Sequence, residues 1–287
     1  MRLEIRAPHP AEEPVCRMLL PETAGDAGWR EYLLAISGET PFYVGAVSWL
    51  RIPGSVRGLC LRVVHTRLRE GTGSRLLRAA VEAAERRGDG ELHCQADPVR
   101  DPVAAPFLLA RGFNRSGLYR GFETELEPVL AYSSGWSRRL AEAGKIPADA
   151  RVVALRDAPV EDVARLYAAY IAANPGLPCR SVQAVIEAGA FDQSRVLRCG
   201  GRVAGMILGT AHPPRIEVDA WVIEPELRGG WATMLLLADA TRTGWDLGGR
   251  RIRFHASDRA SETLAMARRF GAQTIETLES FRLQLGG

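Results

Sequence analysis

Two stretches of this chain, Leu68-Arg69-Glu70-Gly71-Thr72-Gly73-Ser74 and Leu227-Arg228-Gly229-Gly230-Trp231-Ala232-Thr233, are variants of one sequence. Each is followed at the same distance by a leucine pair, Leu76-Leu77 and Leu235-Leu236. The offset of 159 residues also places Val63-Val64 over Val222-Ile223 upstream and Gly112 over Gly271 downstream. One Gly-rich loop is a weak signal, but a loop repeated between a strand and a helix indicates a duplicated domain.

The bulk properties agree with two soluble domains. The 287 residues suffice for two domains of about 130–150 residues, each with its own core. A net charge of +3 does not indicate a nucleic-acid groove, and no segment is apolar over the length that a membrane span needs. Five dispersed cysteines without a CxxC pair do not favour a metal site or a disulfide framework. We therefore expect a cytoplasmic protein with no metal and neither nucleic acid nor membrane as partner.

The hydrophobic pattern repeats the same order of elements in both halves. Each half is predicted to have an opening strand, a hairpin, a strand that enters the Gly-rich loop, a helix, a strand, a short helix and a last strand. The predicted domains are residues 1–126 and 151–287, joined by a linker over 127–150 with a helical patch at Trp136–Ala143. A further helix is predicted at Ser181–Ala188 in the second half. This order predicts an α+β fold, with helices flanking a sheet in each domain.

Backbone chemistry makes each loop a candidate phosphate site. A strand that turns into a helix directs several N–H groups to one point, and the helix dipole adds positive potential there. Gly71 and Gly73 leave the backbone accessible, and Arg69 and Arg228 could add charged contacts. A plain turn is the alternative. A nucleotide P-loop would need Gly-Lys-Ser/Thr, and a dinucleotide fingerprint would need a third glycine, so neither motif fits.

These residues together resemble the GNAT superfamily of acyl-CoA-dependent N-acyltransferases. Its signature is a strand, Gln/Arg-x-x-Gly-x-Gly/Ala and a helix, and the chain has Gly71-x-Gly73 and Gly230-x-Ala232. The preceding hairpins carry Gly45 and Gly205, and the later short helices end at Gly112-Phe113 and Phe270-Gly271. The resemblance implies two tandem GNAT-like domains, each with a mixed, mostly antiparallel sheet flanked by helices.

The resemblance also implies acetyl-CoA or another acyl-CoA as co-substrate, without a metal. The residues it places along the coenzyme are Val63, Val64, Arg69, Glu70, Gly71, Thr72, Gly73 and Ser74 in the first copy, and Val222, Ile223, Arg228, Gly229, Gly230, Trp231, Ala232 and Thr233 in the second.

The chain departs from the family pattern at two kinds of position. Counting back from the glycines places Leu68 and Leu227 where the family has Arg or Gln. The family's tyrosine, often the acid that protonates the leaving thiolate, falls at Leu108 and Ala267, which cannot donate a proton. Another group or water must then act as the acid, or one copy is inactive.

The candidate base lies in the second copy. The strand before its loop carries Glu217 and Asp219, which strict alternation would place on one face, whereas the aligned stretch Arg57–Val63 has no carboxylate. These two are the predicted catalytic residues, with an exposed strand face as the alternative, and His65 and His255 are better explained as surface histidines. The first domain is then a structural or degenerate copy.

Three functions remain open. The first is an N-acyltransferase that moves an acetyl or other acyl group to the primary amine of a small molecule or peptide by direct attack in a ternary complex. The second is a non-catalytic acyl-CoA-binding or regulatory protein. The third is a domain pair for oligomer assembly, and a homodimer is compatible with each.

Overall fold

The computed structural model describes residues 3–21, 30–38, 42–52, 55–174 and 194–286. The described residues form two compact units. Unit 1 contains those up to residue 117 together with 279–286, and unit 2 contains 118–174 and 194–278. The helix predicted at Ser181–Ala188 lies outside the described residues.

Unit 1 has a mixed sheet with helices packed on it. Its sheet has the order β1-β2-β3-β4-β5-β12, in which β4 and β5 are parallel and the other neighbours are antiparallel. The strands are β1 (Leu3–Arg6), β2 (Arg30–Ser37), β3 (Phe42–Ile52), β4 (Ser55–Val63), β5 (Glu91–Ala96) and the second half of β12 (Gln273–Gln284). The helices are α1 (Glu13–Leu19), α2 (Thr72–Arg86) and α3 (Ala104–Leu109).

Unit 2 repeats this plan. Its sheet has the order β6-β11-β10-β9-β8-β7, and β10 and β11 are its parallel pair. The strands are β6 (Asn114–Glu125), β7 (Arg151–Ala154), β8 (Arg195–Cys199), β9 (Arg202–His212), β10 (Arg215–Ile223) and β11 (Arg251–Ser257). The helices are α4 (Leu126–Glu142), α5 (Val160–Ala173), α6 (Trp231–Asp246) and α7 (Ser261–Arg269). The predicted α+β fold, a duplicated mixed sheet with flanking helices, is confirmed.

Each unit takes its last strand from the other half of the sequence. Residues 279–284 of β12 pair with β5 in unit 1, and residues 119–125 of β6 pair with β11 in unit 2. The units therefore differ from the contiguous segments 1–126 and 151–287 in these two strands. The stretch predicted as a linker with a short helical patch begins with a 17-residue helix, α4, whose Leu126 and Val129 lie in the core of unit 2.

Regular helical spacing explains how the central helices pack. In α2, Leu76, Leu77, Ala80 and Ala84 face the sheet and are buried, and Gly88 follows the helix with a φ of +75°. In α6 the buried residues include Ala232, Leu236, Leu237 and Gly244. Each of these helices covers the parallel strand pair of its own unit, and each begins at a Gly-rich loop.

The strands set the repeat at an offset of 160 residues rather than 159. The pairs β3/β9, β4/β10 and β5/β11 all begin 160 residues apart. Gly45 pairs with Val63 and Gly205 with Ile223, and an added Cβ would lie 2.8 Å from a neighbouring-strand carbonyl oxygen at Gly45 and 3.1 Å at Gly205. The predicted alignment of Val63-Val64 with Val222-Ile223 is therefore wrong by one residue. It followed the loop letters, but α6 begins one residue earlier than α2 does in that frame.

The exchanged strand β12 should be essential for the stability of unit 1. Phe281 is fully buried in the unit 1 core, where Leu285 also packs. Phe281→Ala should lower the free energy of unfolding by about 3–5 kcal/mol, because it removes a buried ring and leaves a cavity. Urea unfolding would measure the change. Ile275→Ala on the same strand is the control, since Ile275 is 39% exposed, and an equal loss in both variants would contradict the assignment.

Candidate active site

The parallel strands of each unit separate towards their carboxyl ends. In unit 2 the ladder between β10 and β11 ends at Val218 and Phe254, although β10 continues to Ile223 and β11 to Ser257. In unit 1 the ladder between β4 and β5 ends at Leu59 and Cys94. Each sheet thus has a wedge-shaped opening beside its Gly-rich loop, where backbone groups of both strands can meet a ligand.

A β-bulge lies at the point of separation in both units. On β10 the pairing with β9 shifts between Val218 and Ala220, so Asp219 is the extra residue. On β4 the shift falls at Gly58, whose φ is +54°, and Leu59. A bulge bends its strand and interrupts regular pairing, which accounts for the divergence of the neighbouring parallel strand.

The loop of unit 1, residues 68–74, forms an open helix N-terminus. Gly71 is the residue before α2, has a φ of +80° and would have no atom within 4 Å of an added Cβ. The Arg75 N–H is the first to donate into the helix, to the Gly71 carbonyl oxygen at 3.1 Å, so the preceding N–H groups of the first turn are available to an anion. Arg111 donates to Ser74 Oγ, and its guanidinium carbon lies 3.7 Å from the centroid of the Phe107 ring.

The loop of unit 2, residues 227–233, has a different set of contacts. Gly229 has a φ of +68°, and its N–H donates to Thr233 Oγ1 at 3.1 Å. Arg228 Nε donates to the Ile223 carbonyl oxygen at 3.0 Å, so this guanidinium is held against the end of β10. A carboxylate oxygen of Glu262 would lie 3.5 Å from an added Cβ at Gly229. Trp231 packs on the unit 2 core. This loop is therefore less positive than that of unit 1.

The structural register divides the family signature between the two loops. Arg228 corresponds to Leu68, and Gly229 to Arg69, which also has a positive φ of 66°. Unit 2 therefore has the arginine of the pattern, whereas unit 1 has the glycine pair Gly71 and Gly73. The predicted match of Gly230-x-Ala232 to that pair is shifted by one residue.

The two predicted catalytic carboxylates lie in different surroundings. Glu217 is 39% exposed and is 3.6 Å from Arg215. Asp219 is half-buried at the bulge, so regular alternation no longer sets its direction relative to Glu217. Asp219 is the first residue of β10 beyond its paired part, at the base of the opening.

A histidine and a carboxylate accompany this position on the neighbouring strands. His255 directly follows Phe254, so the strand register puts it across the opening from Asp219. Its Nε2 is 2.7 Å from Oε1 of Glu276, which also accepts a hydrogen bond from Arg253. The hydrogen bond from His255, together with that from Arg253, lowers the pKa of Glu276 to about 2, although burial opposes the shift.

Sequence reasoning missed the function of this cluster. It considered His255 only as a surface histidine, and its side chain is 32% exposed. Glu276 lies 21 residues further along the chain on β12, where no motif links it to His255. A glycine at position 121 of β6 was the one indirect signal, because an added Cβ there would lie 2.7 Å from the Glu276 side chain.

Unit 1 lacks the proton-accepting groups at the corresponding positions. The 160-residue offset places Leu59 at the position of Asp219 and Gln95 at that of His255. Neither side chain can accept a proton at neutral pH. The units are thus similar in backbone and different in chemistry.

Two searches of the described residues returned nothing. They contain no group of three or more His, Cys, Asp or Glu side chains that could hold a metal ion. Among the helices built from these same residues, none is long and apolar enough to cross a membrane.

Solved structures with this fold are GNAT proteins. A tandem GNAT protein from the clavulanic acid biosynthesis pathway is 18% identical and aligns over 100% of this chain and 99% of its own, with a TM-score of 0.64. A GCN5-related N-acetyltransferase from Sphaerobacter thermophilus is 14% identical over 99% of this chain and 96% of its own, with a TM-score of 0.63. A glucosamine N-acetyltransferase region of a fungal multi-domain β-N-acetylglucosaminidase is 12% identical, with a TM-score of 0.70, and aligns over 98% of this chain and 38% of its own.

At these identities the likeness is one of fold. No protein-family model and no curated protein sequence matches the chain.

The Glu276 cluster should make stability depend on pH in the acid range. Because its folded pKa lies below the ordinary value of 4.5, its stabilisation is complete above about pH 4.5 and is lost as the pH falls towards 2. Glu276→Gln should cost about 1–3 kcal/mol at pH 7 and progressively less below pH 4. Urea unfolding across this range would measure both effects. Glu279→Gln, which affects an ion pair with the exposed Arg115, is the control and should change stability little.

Proposed function

We propose that unit 2 is an N-acyltransferase, which moves an acyl group, acetyl in the simplest case, from acyl-CoA to a primary amine. The observation that supports this most directly is the opening between β10 and β11. Asp219 and His255 stand on its two sides at the base, and a helix N-terminus lies at its mouth. This places proton acceptors and an anion site at the two ends of one opening.

The residues of unit 2 are suited to hold the coenzyme. The N–H groups at the start of α6, with Arg228, would bind pyrophosphate oxygens. Val222 and Ile223, at the separated end of β10, would line the pantetheine arm. An acyl carbonyl at the base of the opening would then lie near backbone N–H groups at the bulge, which can stabilise the negative charge that develops on its oxygen.

The reaction then requires only proton transfers by the chain. Asp219 takes a proton from the substrate ammonium, and the resulting amine attacks the thioester carbonyl carbon. The C–N bond forms and the C–S bond breaks, and the thiolate leaves with the electron pair. A proton from the attacking nitrogen goes to the thiolate through water, because Leu108 and Ala267 occupy the positions of the family's tyrosine. His255, oriented by Glu276, would hold the amine in place.

The loop of unit 1 favours a second function, the binding of acyl-CoA without transfer. Its open glycines and the nearby Arg111 provide the better phosphate site of the two, whereas Leu59 and Gln95 replace the proton acceptors. Unit 1 would then serve as a regulatory or structural coenzyme site. We include in the proposal a cytoplasmic location, an acceptor that is a small-molecule or peptide amine, and a homodimer as the assembly to be tested.

Thiol release with acetyl-CoA over an amine library would test the catalytic assignment. Asp219→Asn should lower kcat by about 100-fold or more, because the base is lost. Glu217→Gln should have a smaller effect, since Glu217 is exposed and near Arg215. Asp258→Asn, an exposed change three residues after His255, is the control. Full activity in both the Asp219 and the Glu217 variants would refute the assignment.

Calorimetry with acetyl-CoA would separate the two coenzyme sites. Gly73→Val should remove one of two binding events and leave thiol release intact, because the added methyl groups would meet Phe107, already 3.5 Å from an added Cβ. Gly229→Val should remove the other event and thiol release as well, since a β-branched residue is strained at a φ of +68°. Thermal unfolding would verify that both variants fold. Loss of thiol release in Gly73→Val alone would instead place catalysis in unit 1.

A further inference from the structure

Unit 2 contains an apolar cavity that the transfer of an acetyl group does not require. Its volume is about 60 Å³, and it lies between the sheet and helices α4, α6 and α7. Val218, Phe254 and Trp221 line it near the separation of β10 and β11, whereas Ile216 and Leu126 line it at the opposite end. The cavity therefore begins beside the last paired residues and continues into the core.

The size and lining of the cavity suit a hydrocarbon chain. Protein interiors contain few voids larger than a water molecule, so a space of this size is unusual. One water-sized group needs roughly 10–15 Å³ of such space, which gives room for about four methylene groups. Apolar cavities of this kind stay dry and bind apolar molecules rather than water.

Small residues on α6 keep this space open. Ala240 and Gly244 line it on successive turns of the helix. An added Cβ at Gly244 would lie 3.3 Å from the Ile216 side chain. In unit 1 the residue that corresponds to Gly244 is Ala84, which is fully buried in the core. The side of the helix that fills the core of unit 1 therefore leaves a space in unit 2.

We propose that this cavity holds the hydrocarbon part of the acyl group, and that unit 2 prefers a donor with an acyl chain of about four to six carbons to acetyl-CoA. The inference rests on the proposed acyl transfer at Asp219. A carbonyl carbon at the base of the opening lies next to Val218 and Phe254, and a chain attached to it can continue between them and α6. The bonds formed and broken are those of the acetyl reaction.

A series of donors would test the chain length. Thiol release and calorimetry with acetyl-, butyryl-, hexanoyl- and decanoyl-CoA should show KM and Kd falling at least tenfold from acetyl to hexanoyl, because each buried methylene strengthens binding about fourfold. Both constants should rise again at decanoyl, whose chain exceeds the cavity. Equal constants for all donors, or the tightest binding with acetyl-CoA, would overturn the inference and leave the proposed acyl transfer intact.

A variant that fills the cavity would locate the effect. Ala240→Leu should remove the tenfold preference for hexanoyl-CoA and change the constants for acetyl-CoA less than twofold. Ala238→Leu on the same helix is the matched control, since Ala238 does not line the cavity, and it should retain the preference. An unchanged preference in Ala240→Leu would overturn the inference. If that variant does not fold, the donor series with the unaltered protein still decides. Absence of both thiol release and binding with every donor would instead refute the proposed function itself.

Discussion

The separation of a parallel strand pair at a β-bulge is the constraint on which the candidate site depends. A regular ladder would satisfy the backbone groups of β10 and β11 along their whole length and leave no space between them. The extra residue at Asp219 bends β10 and ends the pairing at Val218. The same break opens the wedge, places a carboxylate at its base and leaves the core beneath it incompletely filled.

The duplicated fold is completed by segments that are remote in sequence. The core of unit 1 contains Phe281 and Leu285 from the end of the chain, and the sheet of unit 2 contains β6 from its middle. A strand that enters a core supplies both backbone hydrogen bonds and buried apolar surface, so neither unit is complete without its distant segment. For the same reason Glu276 on β12 can reach His255 on β11.

The two copies differ in charge more than in backbone. Both loops begin a helix with a residue at positive φ nearby, and in both units the parallel strands separate. Unit 1 has a guanidinium at Ser74 and no proton acceptor at the base of its opening, whereas unit 2 has Glu262 near its loop and Asp219 and His255 at the base. Anion binding and proton transfer are thus favoured in different copies, which supports a division of roles between them.

By itself the sequence determined the duplicated α+β fold, the two loops and the carboxylates of β10, because these follow from local patterns of glycine, apolar spacing and charge. It predicted the repeat one residue out of register, since matching letters in a loop do not report strand pairing. Only the tertiary structure decided the exchange of β6 and β12, the bulge at Asp219, the contact of His255 with Glu276 and the cavity beside Ala240. The physical reason is that each of these depends on hydrogen bonds or packing between strands and helices that lie far apart in the chain.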